Sequence, residues 1–447
     1  MKKYSYLAAI SCGVLAMSLA SCEDQPNKFE LTGGKPSITY IRVQDVAAKD
    51  SLITAAGSGA AIAIIGNNLT SIRELYFNDI KAVLNTSYIT KNSLLVNVPK
   101  SIPGYVTDKI YMVTNGNDTV SYPFHVTVPA ADVASMDCEW ARYGEEATLL
   151  GQFFVNDPGD PLTITFTGIQ NSASLQVPAG DIKEITENKV RFIVPDGAPE
   201  GIIEVHTVYG DSKSHFYFHD SRGIITDFEG EGGADSKSGI VPQGWNIAAT
   251  YSNEGGICNN YVELTGHLTD GGGWVESVKL PYWCGNWKGD PMSITSGPGA
   301  PLRNIFPEGY FANPSKLSFK FELFIPSSNP WKAGAMQVLF VNNQLCANDS
   351  WQNNKYIHTG ANGGEDLCRG LYRPWASTGS FDTGDKWITV TIPLSEFTYN
   401  QDGTDGKVKL SEESFDSFIM WPDAGGVTGE ECDPIFRYDN IRVVPNL

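Results

Sequence analysis

The residues best suited to chemistry lie in the segment PYWCGNWK, at positions 281–288, which places Tyr282, Trp283 and Trp287 beside glycine and asparagine. Rings of this size are expected either in a core or on a surface that binds a flat, partly apolar molecule. A pyranose sugar offers such a face, together with a rim of hydroxyls that amide and charged side chains can hydrogen-bond. The segment therefore predicts one wall of a sugar-binding site, with packing into a core as the alternative.

Other aromatic residues of the second half share this polar or glycine-rich setting. Trp331 follows PSSNP, Trp351 lies within CANDSWQNNK, and Trp375 ends LYRPW. Burial of such loops would leave backbone groups without hydrogen-bond partners, so we expect these rings to be displayed. The predicted glycan-binding residues are Tyr282, Trp283, Trp287, Trp331, Trp351, Tyr372, Arg373 and Trp375.

Three further tryptophans have a setting that is typical of a core. Trp387 lies inside KWITVTIPL, Trp421 ends FIMW, and Trp274 opens another strand-like segment. We predict that these three are buried. Trp245, in PQGWN, fits either setting equally well.

A catalytic function would need paired carboxylates. Jelly-roll β-glucanases carry E-x-D-x-x-E along one strand, which places a nucleophile and an acid on the same face. The nearest segment here is ECDPIF, which has Glu431 and Asp433 but carries Phe436 in place of the second glutamate. Pro434 would also disrupt a central strand. Since HExxH, GxSxG and Walker-type motifs do not occur in the sequence either, it favours a binding protein over a glycoside hydrolase or a lyase.

The composition indicates what kind of fold must position these residues. A length of 447 residues suggests about three domains. The 45 glycines, 25 prolines and many aromatic or β-branched runs favour an all-β protein. A formal charge of −19 disfavours nucleic acid or an anionic membrane as the partner, but it is compatible with a neutral ligand.

The first half of the chain contains a weak internal repeat. The segment GAAIAIIGNNLT near Gly66 is echoed by EEATLLGQFF near Gly151, and IYMVTNGNDTVSYPFHV is echoed by IEVHTVYGDSKSHFYF. Gly116 and Gly210 stand where a hairpin is expected to turn with positive φ. Each copy has the length and alternation expected of a β-sandwich.

The two copies resemble immunoglobulin-like domains of the IPT/TIG type. The resemblance covers residues 36–128 and 129–219, after a linker over residues 23–35. Each domain could hold a ligand site or serve as a rigid spacer. Because Trp140 is the only tryptophan in either copy, we predict that both are spacers.

Residues 220–447 contain the remaining tryptophans and clear strand patterns in LSFKFELFIP, MQVLFV, KWITVTIPL and YDNIRVV. In the first of these, alternate residues fall on one face, namely Leu317, Phe319, Phe321, Leu323 and Ile325. Such strands at short spacing predict a jelly-roll sandwich. We expect a fragment of residues 221–447 to bind glycan without the two preceding domains.

Four segments of this region carry a more specific resemblance. IITDFEG, WITVTIPLSEF, FIMW and YDNIRVVP resemble the C-terminal glycan-binding domain of Bacteroidetes surface glycan-binding proteins, which are lipoproteins encoded in polysaccharide utilisation loci. The resemblance implies a non-catalytic cell-surface protein that captures polysaccharide beside a TonB-dependent transporter. We expect a neutral β-linked ligand such as β-glucan, xyloglucan, mannan or xylan. A structural adhesin is the remaining alternative, but it would leave the clustered tryptophans unexplained.

The amino terminus has the pattern of an export signal. Two lysines precede the apolar run YLAAISCGVLAMSLA, which is too short to span a bilayer. The run ends in LASC, which resembles a lipobox and implies a signal peptide over residues 1–22 with Cys22 as the lipidated residue. An ordinary signal peptide is the alternative. Glu23 and Asp24 resemble the acidic patch of lipoproteins that are sent to the outer face of the outer membrane.

A structural calcium ion is the only cofactor that the sequence suggests. Many jelly-roll binding modules hold this ion between their first and last strands. Asp227 and Glu229 in TDFEG and Asp439 in YDN stand where oxygen ligands would be needed. Turn capping and solvation are the alternative roles of these carboxylates.

Overall fold

The structure is a computed structural model, and it describes residues 29–48, 50–169, 173–238, 250–273, 275–282, 284, 294–342 and 367–447. The chain divides into two units. Unit 1 comprises Met1–Pro129 with Asp157–Gly159, and unit 2 comprises Ala130–Asn156 with Asp160–Leu447. Among the described residues, no helix has the length and the apolar character needed to cross a membrane.

Unit 1 contains the first β-sandwich. Its strands are β1 (Ser37–Val43), β2 (Ala55–Gly57), β3 (Ala61–Asn67), β4 (Ile72–Phe77), β5 (Ile80–Lys81), β6 (Ser93–Asn97), β7 (Lys109–Thr114), β8 (Thr119–Pro123) and β9 (His125–Thr127). They form sheets of order β1-β3-β6 and β5-β4-β7-β8, and β2 pairs with β9. Alternate residues such as Leu75 and Phe77 of β4 and Ile110 and Met112 of β7 are buried, because one face of each strand packs on the core.

The second sandwich opens unit 2. Its strands are β10 (Asp132–Met136), β11 (Glu146–Gln152), β12 (Thr163–Gly168), β13 (Leu175–Gln176), β14 (Ile182–Thr186), β15 (Lys189–Ile193), β16 (Gly201–Thr207) and β17 (Gly210–Phe218). The strand order is β13-β12-β16-β17-β10-β11-β15-β14. Strand β17 joins the two halves, since it pairs with β16 in the antiparallel sense and with β10 in the parallel sense. Phe166, Phe192 and Phe218 lie in the core between them.

The repeat seen in the sequence has a structural counterpart at its two glycines. A Cβ atom on Gly66 would lie 1.9 Å from the carbonyl oxygen of Ser37, and one on Gly151 would lie 1.8 Å from that of Asp132. In both sandwiches the first strand therefore approaches the chain so closely that only glycine fits. The two copies of the sequence repeat therefore share this close contact between a glycine and the first strand.

The predicted hairpin glycines behave differently from each other. Gly210 has φ of 119°, as expected. Gly116 does not have positive φ; the neighbouring Asn117 adopts it, with φ of 65°. Asparagine tolerates this region better than most residues, so the turn does not need the glycine there.

The C-terminal domain follows the second sandwich. Its strands are β18 (Ile224–Thr226), β19 (Thr250–Ser252), β20 (Tyr261–Thr265), β21 (Leu280–Tyr282), β22 (Leu317–Phe324), β23 (Ala335–Val341), β24 (Gly370–Tyr372), β25 (Ile388–Pro393), β26 (Ser417–Asp423) and β27 (Ile435–Pro445). Sheet 1 has the order β19-β20-β27-β22-β25, with β18 also paired to β27, and sheet 2 has the order β21-β26-β23-β24. The predicted all-β class is confirmed.

In the part of the chain that the structure describes, helical structure consists of short turns. The α-helix α1 covers Leu302–Ile305. The 3-10 turns are Val46–Ala48, Leu69–Ser71, Thr86–Tyr88, Ala179–Asp181, Glu231–Gly233, Glu276–Val278, Pro314–Lys316, Pro374–Ser377, Leu394–Glu396 and Glu412–Ser414.

Sheets 1 and 2 enclose the main core of the C-terminal domain. The predicted apolar face of LSFKFELFIP lies in this core, from Leu317 to Ile325. Strands β23 and β26 are buried on both faces, and the outer face of sheet 2 holds a smaller cluster that includes Leu339 and Trp421. The burial predicted for Trp421 is confirmed.

The outer face of β22 is buried as well, because the second sandwich packs on sheet 1. Lys320 Nζ donates to Glu139 Oε1 at 2.6 Å, and Arg442 Nη2 donates to Glu139 Oε2 at 3.0 Å. Arg442 Nη1 also donates to Glu322 Oε2 at 2.7 Å. All four side chains are buried. We call this set the junction network.

The junction is extended by apolar contacts. Ile257 of the C-terminal domain is buried in the core of the second sandwich, and the half-buried Trp387 packs against the same core. Trp387 was predicted to be a core residue of its own domain, and the structure instead places it at the junction. Trp245 and Trp274 lie outside the described residues.

Candidate functional site

Strand β21 leads into the segment that carries Trp283 and Trp287. Tyr282 is 3% exposed, and its hydroxyl donates to the carbonyl of Ala300 at 2.6 Å. Burial raises the pKa of Tyr282. The prediction that Tyr282 is displayed is therefore wrong, because β21 pairs with β26 and directs this ring into the core. Trp283 and Trp287 lie outside the described residues.

Trp331 is also a core residue rather than a displayed one. It is 0% exposed, and its indole nitrogen donates to the carbonyl of Ala333 at 2.6 Å. Its ring packs edge-on against that of Phe436, with the ring centroids 5.4 Å apart. The sequence predicted that Trp331 is displayed, because the backbone groups of a buried loop usually lack hydrogen-bond partners. Here the backbone of Trp331 exchanges two hydrogen bonds with Phe381, at 2.8 and 2.9 Å, and this pairing permits burial.

The LYRPW segment also packs into the core instead of displaying its rings. Trp375 is 2% exposed and donates from its indole nitrogen to the carbonyl of Gly334 at 2.9 Å. Tyr372 is half-buried beside Trp331, with ring centroids 6.1 Å apart, and burial raises its pKa to about 12. Arg373 is half-buried. Trp331, Tyr372 and Trp375 thus belong to one packed cluster, and display is corrected for both tryptophans.

The remaining predicted residue, Trp351, lies outside the described residues. The chain enters its segment after Asn342, at the end of β23. The register of sheet 2 places the end of β23 beside the start of β26, because Val341 is opposite Ser417.

The segment of Trp283 and Trp287 departs from the same place. The backbone nitrogen of Cys284 donates to Ser417 Oγ at 2.8 Å, and Cys284 is buried. This segment also returns there, since the backbone nitrogen of Leu302 donates to the carbonyl of Asp416 at 3.0 Å. One end of sheet 2 therefore connects to both tryptophan-bearing segments. We call it the Ser417 end, defined by Tyr282, Cys284, Val341, Asn342, Asp416 and Ser417.

Buried polar groups mark the Ser417 end. Asp416 and Ser417 are 0% exposed, and Asn342 is 6% exposed. Arg303 Nε donates to Asp416 Oδ1 at 2.7 Å. Polar side chains are buried only where hydrogen bonds satisfy them, so these residues hold the loop ends in defined positions. They could not be recognised in the sequence, because polar residues at the ends of apolar strands normally indicate solvent-exposed turns.

A second polar group missed by the sequence analysis lies on the outer face of sheet 2. Gln337 Nε2 donates to the carbonyls of Gln401 and Asp423, both at 2.9 Å, and Arg369 Nη1 donates to Gln337 Oε1 at 2.8 Å. Arg369 also lies 5.7 Å from the ring of Trp421. A glutamine inside the apolar run AMQVLFV was the available signal. This group fixes the segments that cover sheet 2.

The carboxylates of ECDPIF do not form a hydrolase pair. His267 Nε2 lies 2.7 Å from Glu431 Oε1, and His267 Nδ1 lies 2.9 Å from Asp433 Oδ1. The hydrogen bond that His267 donates to Asp433 is the main cause that raises the pKa of His267. Phe436 is buried. Both carboxylates are thus engaged by one exposed histidine.

The proposed calcium ligands have other partners. Asp227 Oδ1 accepts from the backbone nitrogen of Ser236 at 2.8 Å, and Glu229 Oε1 accepts from that of Asn260 at 3.0 Å. Asp439 is buried, and desolvation raises its pKa well above the ordinary value. Within the described ranges, no group of three or more His, Cys, Asp or Glu residues is arranged to hold a metal. Asp227 and Glu229 thus accept hydrogen bonds from backbone nitrogens of other segments, and their role as calcium ligands stays a prediction.

Two β-sandwiches are followed by a two-sheet domain, and the Ser417 end of its sheet 2 connects to the segments that carry Trp283, Trp287 and Trp351. A family model described as "Surface glycan-binding protein B xyloglucan binding domain" matches residues 218–445. A crystal structure of the surface glycan-binding protein PbSGBP-B from Prevotella bryantii is 34% identical, with a TM-score of 0.78, over 93% of this chain and 100% of that chain. The chain belongs to the surface glycan-binding protein B family.

Two further relatives were found. An IPT/TIG domain-containing protein of Bacteroides ovatus is 26% identical over 161 residues, which are 35% of this chain and 32% of that protein, so the match spans about a third of the relative's length. A surface glycan-binding protein B from a complex xyloglucan utilization locus in Bacteroides uniformis is 15% identical, with a TM-score of 0.44, over 92% of this chain and 100% of that chain.

Proposed function

We propose that this protein binds a neutral β-linked polysaccharide at the cell surface without cleaving it. The observation that carries the proposal is that the segments of Trp283 and Trp351 both depart from the Ser417 end of sheet 2. Rings brought together there could stack on successive sugars of one chain. Xyloglucan is the leading ligand, because the matching family model is described by that glycan.

The binding residues we propose are Trp283, Trp287 and Trp351. Trp283 lies in the sequence between Tyr282 and Cys284, which are both buried at the Ser417 end, and Trp287 and Trp351 lie further along the two segments that leave that end. Each indole stacked on a sugar contributes roughly 1 to 3 kcal/mol to binding. Arg373 stays in the proposal as a hydrogen-bond donor to sugar hydroxyls.

The non-catalytic character rests on the chemistry of the carboxylates. A glycoside hydrolase needs two carboxyl groups that flank a sugar and are free to act as acid and nucleophile or base. Glu431 and Asp433, the pair that most resembles a hydrolase motif, both contact His267. We therefore assign them a role in surface structure.

The location and partners belong to the same proposal. Lipidation at Cys22 would anchor the chain in the outer membrane, with the immunoglobulin-like domains as spacers between the anchor and the binding domain. A TonB-dependent transporter is the proposed recipient of the captured glycan. Loss of membrane association in a Cys22→Ala variant would support the anchor.

The function is tested by electrophoresis of the whole mature protein in gels that contain xyloglucan, mixed-linkage β-glucan, mannan or xylan. We expect retardation in at least one gel, with xyloglucan first, and no release of reducing sugar from the same polysaccharide in solution. Release of reducing sugar would identify an enzyme. Normal migration in every gel would overturn the proposal.

A further inference from the structure

A cleft with an aromatic floor lies at the junction of the second sandwich and sheet 1. Its floor is formed by Phe324 and Trp387, which are half-buried and have ring centroids 5.7 Å apart. Both lie on the face of sheet 1 that carries the junction network, and Trp387 also packs against the edge of the core of the second sandwich. The indole nitrogen of Trp387 donates to the carbonyl of Gly255 at 2.9 Å, which fixes the ring plane.

The wall of the cleft comes from the second sandwich and is charged. Arg142, Glu145 and Glu146 line it, and Lys386 closes the side next to Trp387. The cleft has a volume of about 400 Å³. That volume lies within the range of small-molecule sites, roughly 300 to 1,000 Å³.

Floor and wall are held in a fixed arrangement. Glu139 of the second sandwich accepts from Lys320 and Arg442 of sheet 1, and the backbone nitrogen of Thr389 donates to the carbonyl of Asp137 at 2.8 Å. A cleft that is fixed before the ligand arrives loses little conformational freedom on binding. Groups from both domains can therefore act on one ligand.

The lining indicates the chemistry of that ligand. Four carboxylates line the cleft beside the two cationic groups, which disfavours an anion; the four are those of Asp137, Glu145, Glu146 and Asp385. A metal ion is disfavoured too, because the carboxylates have partners: Glu145 accepts from Arg142 Nε at 3.0 Å, and Glu146 accepts from Arg191 Nη1 at 3.0 Å. A flat indole face beside hydrogen-bonding side chains suits a neutral, hydroxyl-rich sugar.

We propose that this junction cleft is a second carbohydrate site, which stacks one or two sugar units of the bound polysaccharide on Trp387. The proposal rests on the proposed function and adds a second contact region to it. A polymer long enough to reach both regions gains affinity from the linkage, whereas a short oligosaccharide does not.

The test uses the whole mature protein and two probes, polymeric xyloglucan and an oligosaccharide of one xyloglucan repeat. Trp387→Leu keeps an apolar side chain against the core of the second sandwich but removes the flat ring. Arg142→Ala removes part of the wall without touching that core. Tyr88→Ala is the control, because Tyr88 is a 55% exposed ring in the first sandwich.

We expect Trp387→Leu to weaken binding of the polymer by roughly 3- to 10-fold, and Arg142→Ala by about 3-fold, in titration calorimetry. Binding of the oligosaccharide should stay within about twofold of wild type, and Tyr88→Ala should change neither. If Trp387→Leu weakens binding of the polymer and of the oligosaccharide equally, Trp387 acts only through the fold. If both cleft variants bind the polymer as wild type does, the cleft is not used. Either result overturns the proposal of a second site. If wild type binds neither probe nor any glycan of the gel panel, the proposed function itself fails, and the cleft proposal fails with it.

Discussion

The first and second sandwiches have the same repeat but differ in what surrounds them. Each contains a glycine that sits against a backbone carbonyl, Gly66 in the first and Gly151 in the second. The first sandwich forms a unit of its own, whereas the second shares a unit with the C-terminal domain. Glu139 of the second sandwich is part of a buried charge network that the C-terminal domain completes. Similar sequence patterns can thus build a separate module in one place and the base of a binding domain in the other.

The largest expected effects come from the equivalent glycines. Gly66→Ala and Gly151→Ala each force a Cβ atom to within 2 Å of a backbone oxygen, which side-chain movement cannot relieve. We expect each variant to unfold its own unit. Limited proteolysis should then show that Gly66→Ala loses the first sandwich but keeps glycan binding, while Gly151→Ala loses both the second sandwich and binding. Loss of binding in both variants would mean that the two units are not independent.

Glu139→Ala should come next in size. It leaves Arg442 and Lys320 buried with one carboxylate fewer, and removing one partner of a buried ion pair costs about 3 to 5 kcal/mol. Chemical denaturation should show this loss in unit 2. The control is Glu74→Ala in the first sandwich, which removes a carboxylate paired with Lys81 at the surface and should change stability little. Equal effects of the two variants would contradict the contrast between the sandwiches.

The pH dependence of unit 2 should show a smaller effect at His219. This side chain stacks on Trp140 at 4.9 Å, and burial lowers its pKa to about 4. The folded state therefore resists protonation that the unfolded state accepts from pH 6.5 downward. Stability should be full above pH 6.5 and decline as the pH falls from 6.5 to 4, by on the order of 2 kcal/mol.

His219→Asn tests this effect, because asparagine tolerates the φ of 51° at this position and does not titrate there. The difference in stability between wild type and the variant should shrink between pH 7 and pH 4. A difference that is constant with pH would show that the histidine does not titrate on unfolding.

The smallest expected effect is that of a chelator. Asp227 and Glu229 accept hydrogen bonds from backbone nitrogens, so their carboxylates have partners without an ion. The melting temperature of the mature protein should be the same with and without EDTA. A fall on adding EDTA, reversed by calcium, would restore the calcium interpretation.

Much of the fold could be predicted from the sequence, because two-residue alternation reports which strand face is apolar. The alternation in β22 correctly indicated the core face from Leu317 to Ile325. It could not indicate that the opposite face, with Lys320 and Glu322, is buried under another domain, since charged residues on a strand normally signal solvent. For the same reason, a fragment of residues 221–447 is a poor test of binding, because it would lack Glu139, the partner of Lys320 and Arg442.

The candidate site was predicted less well, and the reason is physical. A tryptophan in a polar loop is expected to be displayed because the nearby backbone groups need water as a hydrogen-bond partner. The backbone of Trp331 does not need water, because it hydrogen-bonds to the backbone of Phe381. Long-range pairing of this kind is not visible in the local sequence. The residues that define the Ser417 end were missed because their meaning depends on which strands are neighbours.

The central claim is that the two segments departing from the Ser417 end bind the glycan. Titration calorimetry of Trp283→Ala and Trp351→Ala with xyloglucan tests it most directly, with Tyr88→Ala as the exposed-ring control and thermal melts to confirm folding. Loss of one stacking platform should weaken binding by about tenfold or more in each variant, since 1.4 kcal/mol corresponds to tenfold. If both variants melt like wild type and bind with unchanged affinity, the glycan does not bind at the Ser417 end, and the account is wrong.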